Sequence, residues 1–351
     1  MTQPTLLTGD TPTGQLHLGH WVGSIANRVK LQQHYNSFLI IANMHAFSTR
    51  WQDPQSIRDS VLDITLDYLA AGIDPNKTDI FIQSEIPAIA ELTFLFSMLT
   101  PYNRLMRNPT IKSEIKDKQL GDSYPFGFLL YPIGQIADIL AFRPEVIPVG
   151  EDQLPHLEMT REIARRFNHT YCNDDNPLFP DIQPLISETP RLPGLGAPNE
   201  EGYLLKMSKS LNNAILLSDD ADTVKKKIMS MYTDPNRIRP TDPGTTENNP
   251  LWIFHDTFNS DTQWVEDAKQ RYREGRIGDV ECKKRLVEVV NELLEPMRQR
   301  RQQWQQNSDE ILKILQAGTE KANELAETTL QEVKRCIKQD YFTPRSLTYP
   351  K

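Results

Sequence analysis

Long uncharged apolar runs are missing from this sequence: no stretch supplies the roughly 18 apolar residues that a membrane-spanning helix needs. Cysteine is scarce. The three cysteines, Cys172, Cys282 and Cys336, are far apart and odd in number, which excludes a disulfide framework and a Cys-x-x-Cys metal site, so no metal-ligating set is expected. Positive charge is also in deficit, with 39 Lys and Arg against 47 Asp and Glu and a formal net charge of −8. Affinity for phosphate backbones comes from lysine and arginine, so a whole-surface nucleic-acid binder is excluded, DNA is not an expected partner, and any RNA contact is confined to local patches. The opening Met-Thr-Gln-Pro-Thr has neither a basic nor an apolar leader segment, and the expected location is cytoplasmic. No internal repeat is visible.

What is present is an ordinary globular composition, 38% hydrophobic and 25% charged over 351 residues, enough for two domains. Two distant stretches stand out. The first is Thr8-Gly-Asp-Thr-Pro-Thr-Gly-Gln-Leu-His17-Leu-Gly19-His20. It follows an apolar run at 4–7 and opens a segment whose Leu18, Val22, Ile25 and Val29 fall at helical spacing, so it reads as strand, turn, helix. Pro12 and Gly14 suit the turn, and Gly19 admits a planar ligand to the backbone. Amides at a helix start attract phosphate, and two imidazoles one turn apart can donate to its oxygens, which implies a nucleotide triphosphate. The second stretch, Leu205-Lys206-Met-Ser-Lys209-Ser210, places two lysines in a loop. Lysine is a compact charge suited to a leaving pyrophosphate, and a mobile loop could bring it in when needed. Alone, the first motif also fits a turn with two solvated histidines, and the second a basic surface loop.

Between them strands and helices alternate. Strands are expected at 38–42, 79–83 and 145–149, with helices from Asp53-Pro54 to Gly72, from Pro87 to about 100, at 129–142 and at 155–168. Such alternation predicts a parallel, doubly wound sheet. Asn43-Met44-His45 would follow the second strand at the sheet edge where open α/β folds bind ligands, although a histidine satisfied by a nearby carbonyl fits the spacing equally. Residues 101–128 break the rhythm and read as a connecting insertion, with Arg107 and Lys112 as solvated charges or nucleotide contacts. In the apolar helix at 129–142, Tyr131, Gln135 and Asp138 share one face. They must either satisfy one another and nearby backbone or face a small polar substrate. Gly150 to Gln153 point to the same edge as the first motif, and Arg161, Arg165 and Arg166 form a solvated basic face. Six prolines between 173 and 198 are expected to interrupt any regular structure. Beyond the lysine loop the pattern is helical only, at 219–232, 250–258, 264–274, 279–303 and 308–338, with Trp252, Phe254 and Phe258 as core.

Together and in this order, the two motifs resemble the signatures of class I aminoacyl-tRNA synthetases. From residue 7 to about 338 the chain resembles the bacterial tryptophanyl-tRNA synthetase family. The likeness rests on Gly-Ile-Asp-Pro at 72–75, Phe-Ile-Gln-Ser-Glu at 81–85, Val-Gly-Glu-Asp-Gln-x-x-His-x-Glu-x-Thr-Arg at 149–161, the lysine loop, and Glu-Lys-Ala-Asn at 320–323. The resemblance implies a Rossmann-like α/β catalytic domain at 1–205 with the insertion at 101–128, and a mobile lysine loop at 206–211. It further implies an all-α anticodon-binding domain at 212–300, a C-terminal helix at 301–351 returning to the first domain, and a homodimer. It places ATP, carrying Mg2+, against Gly9, Thr11, Pro12, Thr13, Gly19, His20, Gly150, Glu151, Asp152, Leu192 and the loop Lys206, Met207, Ser208, Lys209 and Ser210. It assigns the indole N–H to Asp138, and the walls or amino-acid end of a tryptophan pocket to Tyr131, His45, Val149 and Gln153, with Gln135 as a second polar contact. The implied reaction is attack of the tryptophan carboxylate on the α-phosphate, then transfer to a terminal ribose hydroxyl of tRNA(Trp). His17 and His20 act on the phosphates, Lys206 and Lys209 on the leaving group.

Two departures bear on specificity. Many bacterial members carry Thr-x-Gly-Asn where this chain has His17-x-Gly-His20, and methionine where it has Gln135. Tyr131-x-x-x-Gln135-x-x-Asp138 is also a pattern of tyrosyl-tRNA synthetases, though those carry asparagine where this chain has His156. The competing readings are a tyrosine-specific synthetase, a small adenylyltransferase, against which the long helical region speaks, and a non-catalytic paralogue, which would be expected to lose signature lysines or histidines.

Overall fold

The computed structural model describes residues 3–108, 111, 115, 124–150, 153–173, 175–186, 191–239 and 241–342. Five strands, β1 (Thr5–Asp10), β2 (Asn36–Ile41), β3 (Thr78–Ile82), β4 (Val146–Val149) and β5 (Gln183–Ile186), pair in parallel in the order β3-β2-β1-β4-β5. The doubly wound sheet expected from alternation is therefore present. The chain reverses direction of winding between β1 and β4, which meet at Leu6 and Val146. One strand was not expected. β5 lies inside the proline-rich passage, and Pro184 is accommodated because the strand is short and at the edge of the sheet, where a missing N–H breaks no second ladder.

Both faces of the sheet are apolar, and β2 shows why. Phe38 and Ile40 enter one core with Phe81, Leu92, Phe96 and Phe142, while Leu39 and Ile41 enter the other with Ile64, Leu69 and Ile80. The helix after the first motif, α1 (18–31), contains a π-helical turn at Trp21–Ile25, where a single extra residue widens the helix. Then come α2 (Asn43–Arg50) and α3 (Pro54–Ala71), whose Asp53 side chain accepts from Ser56 N at 3.2 Å and whose end turns at Gly72 with φ +110°. Helices α4 (Pro87–Ser97), α5 (Tyr102–Met106), α6 (Phe126–Leu140) and α7 (Leu154–Tyr171) also belong to this half. Short α5 lies within the segment read as an insertion, and Lys112 lies outside the described residues.

The remaining helices are α8 (Ala221–Met229), α9 (Pro250–Phe258), α10 (Thr262–Arg273), α11 (Asp279–Gln305) and α12 (Ser308–Cys336). Trp252 and Phe254 are buried and Phe258 packs against the same core, as core residues should. Helix α11 lies on α3, where Arg300 Nε donates to Ala70 O at 2.7 Å. Helix α12 runs back to the exposed side of β3. A Cβ on Gly318 would stand 2.2 Å from Ile80 O, so only glycine permits this approach. Thr319 Oγ1 accepts from Ile82 N at 3.3 Å, and Lys321 pairs with Asp79 at 2.6 Å. The edge strand's backbone is thereby covered. Among the described residues, no helix is long and apolar enough to cross a membrane.

Candidate active site

Where the winding reverses, the carboxyl ends of β1, β2 and β4 open into a cavity of about 700 Å³. Gly9, Asp10 and Thr11 come from β1 and the turn after it, His20 from α1, and His45 from α2. Tyr131, Gln135 and Asp138 come from α6, Val149, Gly150 and Gln153 from the end of β4, and Lys206 from the lysine loop. All six residues expected at the amino-acid pocket thus line one cavity. Of those expected at the nucleotide, Gly9, Thr11, His20, Gly150 and Lys206 do so. Buried Pro12 and Leu192, together with Thr13, Gly19, Met207, Ser208, Lys209 and Ser210, stand outside its wall. Glu151 and Asp152 lie outside the described residues.

The two histidines are stacked, with ring centroids 3.7 Å apart. His20 Nδ1 accepts from the His17 amide at 3.1 Å, so a neutral His20 carries its proton on Nε2. Burial, and after it the neighbouring His20 and Lys209, push the His17 pKa down to about 3; burial also lowers that of His20, against the pull of Asp10. Both imidazoles are therefore neutral donors at pH 7, and positive charge must come from lysine. The expectation that helix-start amides receive phosphate is corrected in this conformation. His17 N is taken by His20, Leu18 N donates to Ile215 O at 2.9 Å, and Gly19 N faces Met207 Sδ at 3.4 Å. Gly19 also has a nearer reason than ligand approach: a Cβ there would meet the His17 ring at 2.9 Å.

The lysine loop is docked on the first motif. Lys209 Nζ donates to Thr13 O at 2.6 Å and Gln15 O at 3.0 Å, and desolvation there lowers its pKa. Asn213, not singled out from sequence, shapes the loop. Its Oδ1 accepts from Ser208 N at 2.7 Å and its Nδ2 donates to Lys206 O at 3.1 Å, while Gly194 leaves room for it.

On α6, Asp138 finds its partner outside the helix. Gln83, at the end of β3, donates through Nε2 to both carboxylate oxygens, at 2.7 and 2.8 Å, and accepts from His45 N through Oε1 at 3.1 Å. Burial raises the Asp138 pKa to about 7, against the pull of Gln83. Gln83 lies within Phe-Ile-Gln-Ser-Glu, and its place at a strand end on the ligand edge is the sequence signal for this role. A second cluster went unread. Asp10 pairs with Arg28 Nη1 and accepts from Tyr68 Oη, each at 2.5 Å, and although burial opposes it, these partners hold its pKa below the ordinary carboxylate value. A separate apolar cavity of about 650 Å³, lined by Phe47, Trp51, Pro87 and Phe128, meets the first at His45, Tyr131 and Asp138.

With this geometry in place, comparison with known proteins adds the following. The family model described as class I tRNA synthetases (W and Y) matches residues 1–295. The chain is 48% identical over 347 residues to the tryptophan–tRNA ligase of Streptococcus pneumoniae serotype 4, covering 97% of this chain and 100% of that one. Among solved structures it is similar to the tryptophanyl-tRNA synthetase of Campylobacter jejuni complexed with ADP and tryptophan, at a TM-score of 0.81 and 29% identity, covering 95% and 99% of the two chains. A tyrosyl-tRNA synthetase from Archaeoglobus fulgidus shares the fold, with a TM-score of 0.63 at 20% identity over 85% of this chain and 90% of that one.

Proposed function

This chain belongs to the class I tRNA synthetases of the tryptophan and tyrosine family, and on that premise we propose that it is a tryptophan–tRNA ligase with its active site at the β1–β4 cavity. It activates tryptophan with ATP and transfers it to tRNA(Trp). The observation that carries the site assignment is the convergence of the six amino-acid-pocket residues with Gly9, Thr11, His20, Gly150 and Lys206 on one cavity at the switch point.

In this reading Asp138 accepts the indole N–H, and Gln135 adds a second polar contact. His45, Tyr131 and Val149 wall the ring, and Gln153 faces the amino-acid end. An indole N–H is a donor only, so its acceptor must be ionised or carry a free lone pair, and Gln83 supplies donors that favour the carboxylate. Thr11, Pro12, Thr13, Gly19, Gly150 and Leu192, with Glu151 and Asp152, cradle ATP. Magnesium arrives on the phosphates, consistent with the hard oxygen donors that ion prefers. The tryptophan carboxylate attacks the α-phosphate, pyrophosphate leaves, and no covalent enzyme intermediate is required. His20 Nε2–H donates to the phosphate oxygens, and His17 supports it by stacking. Lys206 faces the cavity, and Lys209 swings from Thr13 O and Gln15 O to the leaving pyrophosphate. We assign 1–205 to the catalytic domain, 206–211 to the mobile loop, 212–300 to anticodon binding and 301–351 to the C-terminal segment whose helix α12 returns to the first domain, in a cytoplasmic homodimer.

The test is pyrophosphate exchange into ATP without tRNA, with tryptophan and tyrosine offered in parallel. Exchange with tryptophan alone is expected; exchange with tyrosine would reassign Gln135 and the substrate, and none with either would end the catalytic reading.

A further inference from the structure

The segment from Thr13 to Leu18, which carries the turn and the first signature histidine, is held from two sides. One side is the stretch after the lysine loop. Leu217 N donates to Leu16 O and Leu18 N to Ile215 O, both at 2.9 Å, Ser218 Oγ donates to Gln15 Oε1 at 3.0 Å, and Lys209 caps Thr13 O and Gln15 O. The other side is a carboxylate on α3. Asp67, whose side chain is 0% exposed, accepts from Leu16 N through Oδ2 at 2.6 Å. Its other oxygen, Oδ1, takes an ion pair from Arg301 Nη1 on α11, with the Arg301 side chain 11% exposed.

An ionised carboxylate buried on a helix is costly unless both oxygens are satisfied. If its role were only to join α3 to α11, a pair of apolar side chains would serve as well, and Arg300 already ties the two helices through Ala70 O. What an apolar pair could not do is hold the amide immediately before His17. Because one oxygen is fixed to that amide and the other to Arg301, the carboxylate links α11 to the signature segment.

Resting on the reading above, we propose that Asp67 is a positioning residue for the activation step, through which the seating of α11 sets the orientation of His17 and His20. It touches no substrate. It acts through Leu16.

The experiment uses the full chain with Asp67→Asn, Arg301→Lys, Arg301→Met, and the double variant Asp67→Leu/Arg301→Met. In pyrophosphate exchange, Asp67→Asn and Arg301→Met are expected to lower kcat about tenfold with KM for tryptophan within about twofold, since only a step-specific geometry is lost. Arg301→Lys, which keeps the charge, retains kcat within about threefold. The double variant is expected to regain the wild-type melting temperature but not its kcat. Full kcat in the folded double variant, or a loss below twofold in folded Asp67→Asn, overturns the proposal. Imidazole NMR of His17 and His20 gives a readout independent of turnover: their resonances shift in Asp67→Asn if the proposal holds, and stay fixed if Asp67 is only structural. Wild-type protein that fails to exchange would defeat the ligase reading, while the imidazole spectra would still decide for or against Asp67 as the orienting group.

Discussion

Asp138→Asn separates the stability of the pocket from its chemistry. Burial lifts this carboxyl from its ordinary 3.8 to about 7, so the folded protein holds the proton over a range where the unfolded chain has released it. The sign follows directly: between these two values the native state binds more protons, and wild-type stability falls as pH rises, levelling off above pH 7. At 1.36 kcal/mol per unit, the ionised carboxylate costs the empty protein about 4 kcal/mol at pH 8. Asparagine keeps the shape and one acceptor for Gln83, but its amide lacks a matching acceptor, which returns about 1–3 kcal/mol of the relief. A net gain of about 1–3 kcal/mol for Asp138→Asn is expected at pH 8 and none at pH 4, read by urea denaturation without substrates. Calorimetry should show tryptophan binding lost in the variant and, in the wild type, weakening by roughly five- to tenfold from pH 8 to pH 6 as the acceptor protonates. An equal stability difference at both pH values, or unchanged tryptophan affinity in the variant, would refute the reasoning.

Lys209→Ala should lower the exchange rate by about 10²-fold while KM for ATP changes about twofold, because its contact to pyrophosphate is realised in the transition state; weaker ATP binding at unaltered turnover would contradict that. Gly318→Ala pushes a methyl against Ile80 O and should destabilise the protein by about 1–3 kcal/mol in urea or thermal melts. An unchanged melt would mean that α12 does not sit on β3 as described.

Much of the fold was legible because it follows from local periodicity. Val61 and Ile64 mark α3 at helical spacing, and Asp53, Pro54 and Gly72 mark its ends by chemistry that acts within a few residues. The strand in the proline-rich passage was hidden because its placement is decided by the neighbouring β4 and not by its own composition. The site divides in the same way. His17, His20, Asp138 and the lysines sit in motifs whose spacing reports their geometry. Gln83, Asp67 and Asn213 act by meeting partners 55, 51 and 5 positions away, respectively, and a single chain carries no mark of the first two contacts. The start of α1 shows the converse, a motif read correctly as strand, turn and helix whose amides are taken by His20 Nδ1, by Ile215 O and, at Gly19, by Met207 of the loop it docks.

The seat of α12 on β3 also bears on how the chain is made. Thr319 and Ile82 are 237 positions apart, so a ribosome adding 5–20 residues per second leaves the β3 edge uncovered for roughly 12–50 s after it emerges. For that interval the nascent sheet offers an open strand to any other chain nearby. Charge at the edge, with Asp79 in the strand and Lys77 just before it, is the only guard it carries among the described residues of that segment until α12 arrives. The interval of exposure closes when the Gly318 turn of α12 leaves the exit tunnel.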